Sequence, residues 1–442
     1  MKVIIVGGSA TGMGVAAKLK RNDPNAEVIV YQDKDYVSLG ACGLPYFVSN
    51  NFDNKEMLIA RTKEQFEQSG IVVKTNSRVS SIDFDSKTVY FNDKQDTYEK
   101  LVIAIGAKPI IPNTSWKNLK NSFTITTLED GIKLKEEMNK NPNIKKVAVI
   151  GAGFIGLEMT EALTEINKEV YLIEKEDRVS KKAFDKEFSE LITTKLEEHN
   201  IIVKTSTELK EIVEVDGLAK QLIFSNSEKL EVDAIIFSIG FKPNTEIFTN
   251  TKLELFENGA IIVDNQGKTN IEDVYSAGDC ATSKEFLTQK NIYSPLATVA
   301  NKFAKVIADN LCGKNKVFVG SLRSAIFRCF DIGFARSGFT EEEAQDLFKI
   351  KIVFIKDKDH THYLKGQKDI YLKLILDTET NTIIGSQLCA QNSAMLRANT
   401  LATIIWSKIN VDEALEQIDL VYAPPYSKTT DILHIALSKF LK

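Results

Sequence analysis

The stretch Lys146-Val-Ala-Val-Ile-Gly-Ala-Gly-Phe-Ile-Gly156 decides the fold of this chain. It opens with a short apolar run, turns through closely spaced glycines and leads into a helical stretch that ends near Glu165. A second apolar run, Glu169-Val-Tyr-Leu-Ile173, follows. A strand, a glycine turn, a helix and another strand in this order predict a βαβ unit with parallel strands.

The glycines of this stretch have the spacing of a dinucleotide-binding turn. Gly151 permits the tight turn, Gly153 lets the backbone approach a pyrophosphate, and Gly156 allows the helix to pack closely on the strand. Glu174 follows the second strand, where a carboxylate accepts from a ribose 2′-hydroxyl and repels a 2′-phosphate. We predict that this unit binds NADH in preference to NADPH; a merely tight turn is the alternative.

A weaker copy of the same pattern opens the chain. Lys2-Val-Ile-Ile-Val-Gly-Gly-Ser-Ala-Thr-Gly12 leads through a helical stretch to Glu27-Val-Ile-Val-Tyr31. Ser9 stands at the second glycine position, and Gln32 stands where an acid is expected, with Asp33 beside it. Serine is small enough for close phosphate approach, and a glutamine carbonyl accepts from a ribose hydroxyl. The two copies predict two nucleotide-binding domains.

Two strand endings and an acidic turn accompany these units. Residues 100–109 and 233–243 are apolar runs that end in Gly-x-x-Pro, as expected for the closing strand of each domain and its exit. Residues 269–281 indicate a strand that ends at Gly278-Asp279. An acid at this place either binds the polyol hydroxyls of a flavin or only forms the turn.

The last part of the chain has a different pattern. Residues 349–355, 369–376 and 382–388 alternate apolar and polar side chains, which is typical of strands. Residues 377–382 supply a hairpin turn, and a helix is expected from Ala394 to Ile409. This pattern predicts a separate α+β domain.

Composition narrows the functional classes. The 442 residues suffice for two to four domains, at roughly 100–200 residues each. The 43% of hydrophobic residues excludes disorder, and the net charge of -4 lacks the basic excess of a nucleic-acid binder. No apolar run approaches the ~18 residues that span a bilayer, and a strand from Lys2 leaves no room for a signal peptide. We therefore expect a cytoplasmic protein that binds neither nucleic acid nor membranes.

Cys42 differs from the other cysteines in its surroundings. It lies in Val37-Ser-Leu-Gly-Ala-Cys42-Gly-Leu-Pro-Tyr46, just before Pro45, a residue suited to the first turn of a helix. A helix N-terminus favours the thiolate form. We predict a reactive thiol at Cys42, with an inert buried residue as the alternative. No metal site is predicted, and the other cysteines are interpreted as structural: Cys280, Cys312, Cys329 and Cys389.

The motifs together resemble those of the class I pyridine nucleotide–disulfide oxidoreductases along essentially the whole chain. Within that family the chain is similar to the single-cysteine branch of coenzyme A-disulfide reductase, NADH oxidase and NADH peroxidase. The motifs that carry the resemblance are Ser38-x3-Cys42-Gly-Leu-Pro-Tyr46, Tyr275-Ser-Ala-Gly-Asp-Cys-Ala281, Ser294-Pro-Leu-Ala297 and Tyr422-Ala-Pro-Pro-Tyr-Ser427.

The resemblance implies an α/β fold with two Rossmann-like domains, one for FAD and one for NAD, and a C-terminal α+β domain that forms a homodimer. The expected boundaries are residues 1–112 and 245–318 for the FAD-binding domain, 113–244 for the NAD-binding domain and 319–442 for the dimerisation domain. The cofactor-binding residues so implied are Gly7, Ser9, Gly12, Gln32, Asp33, Ser38, Gly106, Gly151, Gly153, Gly156, Glu174, Gly240, Asp279 and Ala297.

The resemblance also implies the catalytic residues. Cys42 would be redox-active, and Tyr363 and Tyr422 would reach the partner subunit's active site. The favoured function is reduction of a low-molecular-weight disulfide, above all coenzyme A disulfide, by NADH. Two alternatives stay open: an NADH oxidase that reduces oxygen or peroxide through a cysteine sulfenic acid, and a flavin-binding redox sensor with little turnover.

Two features bear on the choice within the branch. Ala10 stands where peroxidases and many oxidases carry a histidine after the first glycine loop, and the Tyr422–Ser427 motif resembles that of the coenzyme A-disulfide reductases. Lys18, Arg21 and Ser38 are the candidates for binding coenzyme A. For Lys18 and Arg21 a solvated helix face is the alternative.

Overall fold

A computed structural model describes residues 1–441 of the chain. The chain forms two compact units. The first comprises Met1–Ile110, Thr124–Glu137 and Gly240–Ser321, and the second comprises Ile111–Phe123, Met138–Ile239 and the chain from Leu322 onward. The α-helices are α1 (Ala10–Asn22), α2 (Leu44–Val48), α3 (Lys63–Glu67), α4 (Leu128–Lys140), α5 (Phe154–Glu165), α6 (Lys186–Glu198), α7 (Ala297–Leu311), α8 (Glu341–Ala344), α9 (Arg397–Ser407), α10 (Val411–Gln417) and α11 (Ile432–Ser438).

The first unit is built on a parallel five-stranded sheet. From edge to edge its strands are Val274–Ser276, Lys100–Ile103, Lys2–Val6, Glu27–Tyr31 and Val72–Lys74. Helix α1 connects the central strand Lys2–Val6 to its neighbour Glu27–Tyr31, so the predicted N-terminal βαβ unit is confirmed. Helix α7 packs on α1, and Gly14 brings them close, because a Cβ there would lie 3.1 Å from the Ala304 Cβ.

Smaller antiparallel elements complete this unit. A three-stranded sheet consists of Val79–Asp83, Thr88–Phe91 and Lys94–Thr97. Ala107–Pro109 pairs with Phe241–Pro243, and Ser283–Lys284 pairs with Asn291–Ile292. The strand expected over 269–281 is reduced to Val274–Ser276, since the Thr269 hydroxyl bonds to the backbone of Ile271 and Val274 and holds the preceding segment in a turn.

The second unit contains a sheet of the same design. Its parallel strands, in spatial order, are Ile202–Lys204, Glu169–Ile173, Lys146–Ile150, Ala234–Phe237 and Ser122–Phe123. An antiparallel sheet of Leu209–Val215, Leu218–Phe224 and Lys229–Glu231 accompanies it. Helix α5 joins Lys146–Ile150, the strand before the Gly151 turn, to Glu169–Ile173, which confirms the second predicted βαβ unit.

The C-terminal part of the second unit is a five-stranded antiparallel sheet with helices beside it. Its strands, in spatial order, are Ala325–Cys329, Ile332–Gly338, Thr382–Ala390, Asp369–Asp377 and Ile350–Lys358. The helix expected over 394–409 is a 3-10 turn, Asn392–Leu396, followed by α9, which stops at Lys408 in a left-handed conformation. The predicted fold class is confirmed. Among residues 1–441, no helix combines the length and the apolar character needed to cross a bilayer.

Candidate functional site

The first glycine turn joins the strand Lys2–Val6 to α1. Gly7 has φ +107°, a conformation that favours glycine, and its N–H donates to the Tyr31 carbonyl at 2.8 Å. A Cβ on Gly12 would overlap the Gly7 carbonyl oxygen. Ser9 is the exposed N-cap of α1 and makes no side-chain cap bond. The turn therefore leaves the helix N-terminus open to an anion.

Gln32 holds this turn from the neighbouring strand. Its side chain is buried, and its Oε1 accepts from the Gly8 N–H at 3.0 Å, while its Nε2 donates to the Tyr36 carbonyl at 3.1 Å. Asp33, the next residue, is exposed. Ser38 adopts a left-handed φ of 59°, and its N–H donates to the Gly8 carbonyl at 2.8 Å. The segment that leads to Cys42 is thus bonded directly to the first glycine turn.

The Gly278-Asp279 turn lies against the start of α1. A Cβ on Gly278 would overlap the Thr11 hydroxyl, so the strand-end turn and the helix start are in close contact. Burial raises the pKa of the Asp279 carboxyl. The backbone carbonyl of Asp279 accepts from the Tyr293 hydroxyl at 2.9 Å, which ties the turn to the segment before α7.

The remaining predicted cofactor-binding residues that lie in this unit are Ala297, Gly106 and Gly240. Helix α7 begins at Ala297 as expected, and this residue is exposed. Just upstream, the buried Ser294 hydroxyl finds no hydrogen-bond partner within the described chain. Gly106, with φ +64°, faces open space. Gly240, with φ +118°, belongs to this unit too, and its carbonyl accepts from the Ile110 N–H. An open glycine turn, a desolvated acid and an orphaned hydroxyl fit the phosphates and polar groups of FAD.

The second glycine turn repeats the first. Gly151 has φ +103°, and its N–H donates to the Ile173 carbonyl at 2.8 Å. A Cβ on Gly156 would overlap the Gly151 carbonyl oxygen, whereas a Cβ on Gly153 would meet no atom within 4 Å. Ser238, which no motif in the sequence indicates, fixes the turn: its hydroxyl shares one hydrogen between the carbonyls of Ile150 and Gly151, both at 2.9 Å.

Glu174 occupies the position that Gln32 has in the first unit. Its Oε2 accepts from the Ala152 N–H at 2.7 Å, and its Oε1 accepts from the Glu176 N–H at 2.9 Å. The carboxylate is therefore fixed beside the glycine turn. Each carboxylate oxygen has a second lone pair, which leaves capacity to accept from a ribose hydroxyl. The turn and the carboxylate together fit an NADH-type dinucleotide.

Two basic residues that follow Glu174, Arg178 and Lys181, are engaged by acids. Lys181 lies 3.1 Å from Asp177, measured from Nζ to Oδ1, and 3.7 Å from Glu176. Arg178 pairs with Glu342 of α8, with 2.6 Å between Nη2 and Oε1. These acids reduce the positive charge that a 2′-phosphate would need near Glu174. The Glu342 contact joins residues distant in sequence, so no local pattern signals it.

Cys42 lies in a 3-10 turn, Ala41–Gly43, that runs directly into α2. The residue is exposed, while Leu44 and Pro45 behind it are buried. Pro45 is in the first turn of the helix, as predicted. Helix α2 extends over only five residues, Leu44–Val48, so its dipole contributes little to the thiol.

The other cysteines lack this exposure. Cys280, Cys329 and Cys389 are buried, and Cys312 is half-buried. Burial raises the pKa of the Cys329 and Cys389 thiols to about 12. Thiolate chemistry at neutral pH is therefore unfavourable at these two sites.

Tyr363 and Tyr422 come together in the C-terminal part of the second unit. Their side chains are 61% and 44% exposed, and a hydrogen bond joins the two hydroxyls. This interaction lowers the pKa of Tyr422 and raises that of Tyr363, and Thr429 lowers the pKa of Tyr422 further. The two segments are held by Thr361, which donates through its N–H and its hydroxyl to the Pro424 carbonyl.

The candidate residues for coenzyme A lie on α1. Lys18 is half-buried, and its Nζ lies 3.5 Å from the Asp309 carboxylate of α7. Arg21, near the end of the helix, is exposed. Of the two, Arg21 has the side chain that is more accessible to a ligand.

Two family models match the chain. A model described as pyridine nucleotide-disulphide oxidoreductase matches residues 1–301. A second, described as the dimerisation domain of these oxidoreductases, matches residues 324–432.

Similar proteins and structures extend this finding. A protein of Pyrococcus abyssi named NAD(P)H sulfur oxidoreductase (CoA-dependent) is 32% identical over 445 residues, which cover 100% of this chain and 98% of that protein. An NADH oxidase of Streptococcus pneumoniae is 29% identical over 98% of each chain. The structure of an NAD-dependent persulfide reductase from A. fulgidus superposes with a TM-score of 0.95 at 34% identity, covering 100% of this chain and 83% of that one.

Proposed function

The chain belongs to the pyridine nucleotide-disulphide oxidoreductase family, and we propose that it uses NADH to reduce a sulfur–sulfur bond of a coenzyme A compound through Cys42. It is an FAD-dependent NAD(P)H oxidoreductase of that family. The observation that carries the proposal is the placement of an exposed Cys42 on a segment bonded to the first glycine turn. The name of the Pyrococcus relative supports coenzyme A as the carrier of the sulfur.

The two glycine turns would divide the nucleotides between them. The turn at Gly7–Gly12, with Gln32 and Asp279, would hold FAD, and the turn at Gly151–Gly156, with Glu174, would hold NADH. Bound FAD would supply acceptance of a hydride from NADH and transfer of two electrons onward to sulfur. The proposed domain division is that of the sequence analysis, with an FAD-binding part, an NAD-binding part and a C-terminal dimerisation part.

Cys42 would carry the exchange step. Its thiolate attacks one sulfur of coenzyme A disulfide, which forms a mixed disulfide and releases the first thiol as a thiolate. Two electrons that originate from NADH, with one proton, then cleave the mixed disulfide and release the second thiol, which restores the Cys42 thiolate. The balance is NADH, one proton and one disulfide converted to NAD⁺ and two thiols. A persulfide of coenzyme A carries the same type of bond.

Tyr422 and Tyr363 would protonate the departing thiolate. Tyr363 lowers the pKa of Tyr422, which makes the Tyr422 hydroxyl the stronger proton donor toward a sulfur. The matched dimerisation domain supports a homodimer. We propose that these tyrosines act in the partner subunit's site, and that Arg21, with Lys18 and Ser38, contacts the nucleotide end of coenzyme A.

NADH oxidation under nitrogen, with and without coenzyme A disulfide, tests this function. The proposal expects oxidation that depends on the disulfide and yields two thiols per NADH, and it expects no such activity from Cys42→Ser. A parallel assay without disulfide in air identifies the alternatives. Rapid oxidation that consumes oxygen would indicate an NADH oxidase, and negligible turnover in both assays would indicate a redox sensor.

A further inference from the structure

Helix α4 packs directly behind the helix that follows Cys42. Gly131, in the first half of α4, has no side chain, and a Cβ there would lie 2.5 Å from Cδ2 of Leu44 and 3.8 Å from Cδ1 of Phe47. Leu44 is 0% exposed, and it lies two residues after Cys42. The close approach of α4 therefore sets the depth of α2, the helix that directly follows the turn with Cys42.

Lys135, one helical turn further along α4, holds the other end of the same segment. Its Nζ donates to the carbonyls of Phe47 at 2.9 Å and Phe52 at 3.0 Å, and to Oδ1 of Asp53 at 2.9 Å. The ammonium also lies 4.3 Å from the centre of the Phe47 ring. Its side chain is only 16% exposed, so the two carbonyl bonds are partly shielded from water, whereas Asp53 is 88% exposed. One cation thus satisfies carbonyls at the end of α2 and in the turn that follows it.

The chain before Cys42 is anchored independently. Ser38 donates to the Gly8 carbonyl, Gly40 donates to the Leu58 carbonyl at 2.7 Å, and Ala60 donates to the Ser38 carbonyl at 3.0 Å. The first bond fixes the segment upstream of Cys42 to the first glycine turn, and the other two fix it to residues 58–60. The downstream half has α4 as its support, so the position of the thiol depends on both anchors.

We propose that Lys135 and Gly131 are positioning residues for Cys42, acting through α2. This inference rests on the proposed role of Cys42. Loss of the ammonium leaves two carbonyls without their charged donor, and the helix end loosens. A side chain on Gly131 pushes Leu44 and the attached turn outward. Both changes displace the sulfur while leaving the two glycine turns intact.

Three variants of the FAD-loaded enzyme test the inference. Lys135→Met keeps the length of the side chain and removes the charge, and Gly131→Ala introduces the contact with Leu44. Alanine is the better helix former, so the second variant does not weaken α4 itself. Lys133→Met removes an exposed lysine from the same helix and serves as the matched control. The readouts are hydrogen–deuterium exchange of residues 41–53, alkylation of Cys42 by iodoacetamide, flavin reduction by NADH and turnover of coenzyme A disulfide.

In Lys135→Met we expect faster hydrogen–deuterium exchange in residues 41–53 and an altered alkylation rate of Cys42. We also expect about a tenfold loss of disulfide turnover, which corresponds to the loss of one charged hydrogen bond. Gly131→Ala should change the same readouts, while flavin reduction stays within about twofold and Lys133→Met matches the unmodified enzyme. Unchanged exchange and alkylation in both variants would overturn the inference, as would an equal loss of flavin reduction. Full disulfide turnover by Cys42→Ser would instead refute the proposed function.

Discussion

Replacing Glu174 by glutamine should shift the coenzyme preference toward NADPH. The carboxylate accepts from the N–H groups of Ala152 and Glu176 at 2.7 and 2.9 Å. Glutamine fills the corresponding position in the first unit, where Gln32 still accepts from the Gly8 N–H. The Glu174→Gln enzyme is therefore expected to fold with one of the two bonds retained and with the negative charge removed.

The size of the shift follows from the charges. A carboxylate and a 2′-phosphate of about two negative charges, roughly 5 Å apart at an effective dielectric constant of about 40, repel by about 3 kcal/mol. Removal of this repulsion favours NADPH by roughly 10²-fold. Loss of one charged hydrogen-bond acceptor should weaken NADH binding by about tenfold. Because the site is half-exposed, added salt should reduce the change for NADPH.

The assay is kcat/KM for NADH and for NADPH with the same acceptor, together with the rate of flavin reduction by each coenzyme. Glu176→Gln is the matched control, since it removes the same charge two residues away but leaves the carboxylate at the glycine turn. Its ratio of the two kcat/KM values should stay within about threefold of the unmodified enzyme. If the ratio of the two kcat/KM values were unchanged in Glu174→Gln, or shifted equally in the control, Glu174 would not be the residue that selects NADH over NADPH.

Four further outcomes are expected. Cys42→Ser should retain FAD and NADH-dependent flavin reduction and lose disulfide reduction, because only the exchange step needs a thiolate; full turnover would exclude Cys42 as the electron carrier. Tyr363→Phe removes the hydroxyl that lowers the pKa of Tyr422, so the alkaline limb of the pH profile of disulfide turnover should move to higher pH. An unchanged alkaline limb would show that Tyr363 does not tune the Tyr422 hydroxyl during turnover. Verified heterodimers of Cys42→Ser and an inactive Tyr422→Ala subunit should regain activity from one intact site, and no recovery would place Tyr422 outside the partner subunit's site. Gly12→Ala should be purified without FAD, because the new Cβ overlaps the Gly7 carbonyl; a full 450 nm flavin absorbance would contradict this.

The two glycine turns could be predicted from sequence because their geometry is local. Gly7 and Gly151 each lie within a few residues of the strand and the helix that they connect, and both have the positive φ that the spacing implies. The C-terminal strands followed from alternation of apolar side chains over short distances. The ends of irregular segments were less predictable, as the turn before Val274 shows, because side-chain bonds to the backbone decided them.

Contacts between distant residues could not be predicted in the same way. The support of α2 by Lys135, the bond between Tyr363 and Tyr422, and the pairing of Arg178 with Glu342 all join residues that no periodicity relates. A lysine on an exposed helix is usually solvated, so the sequence of α4 alone predicts a solvated side chain for Lys135. Its role follows only from the carbonyls that the fold brings to it.

The paired positions Gln32 and Glu174 explain why one architecture can serve two nucleotides differently. Both side chains accept from the N–H of the residue that follows the first glycine of the turn. Stabilising the turn therefore requires an acceptor oxygen but no negative charge. On the proposed assignment, the first turn meets FAD, which has no 2′-phosphorylated counterpart to reject, and a neutral amide suffices. The second turn meets a coenzyme that exists in both forms, and there the added charge of Glu174 discriminates between them.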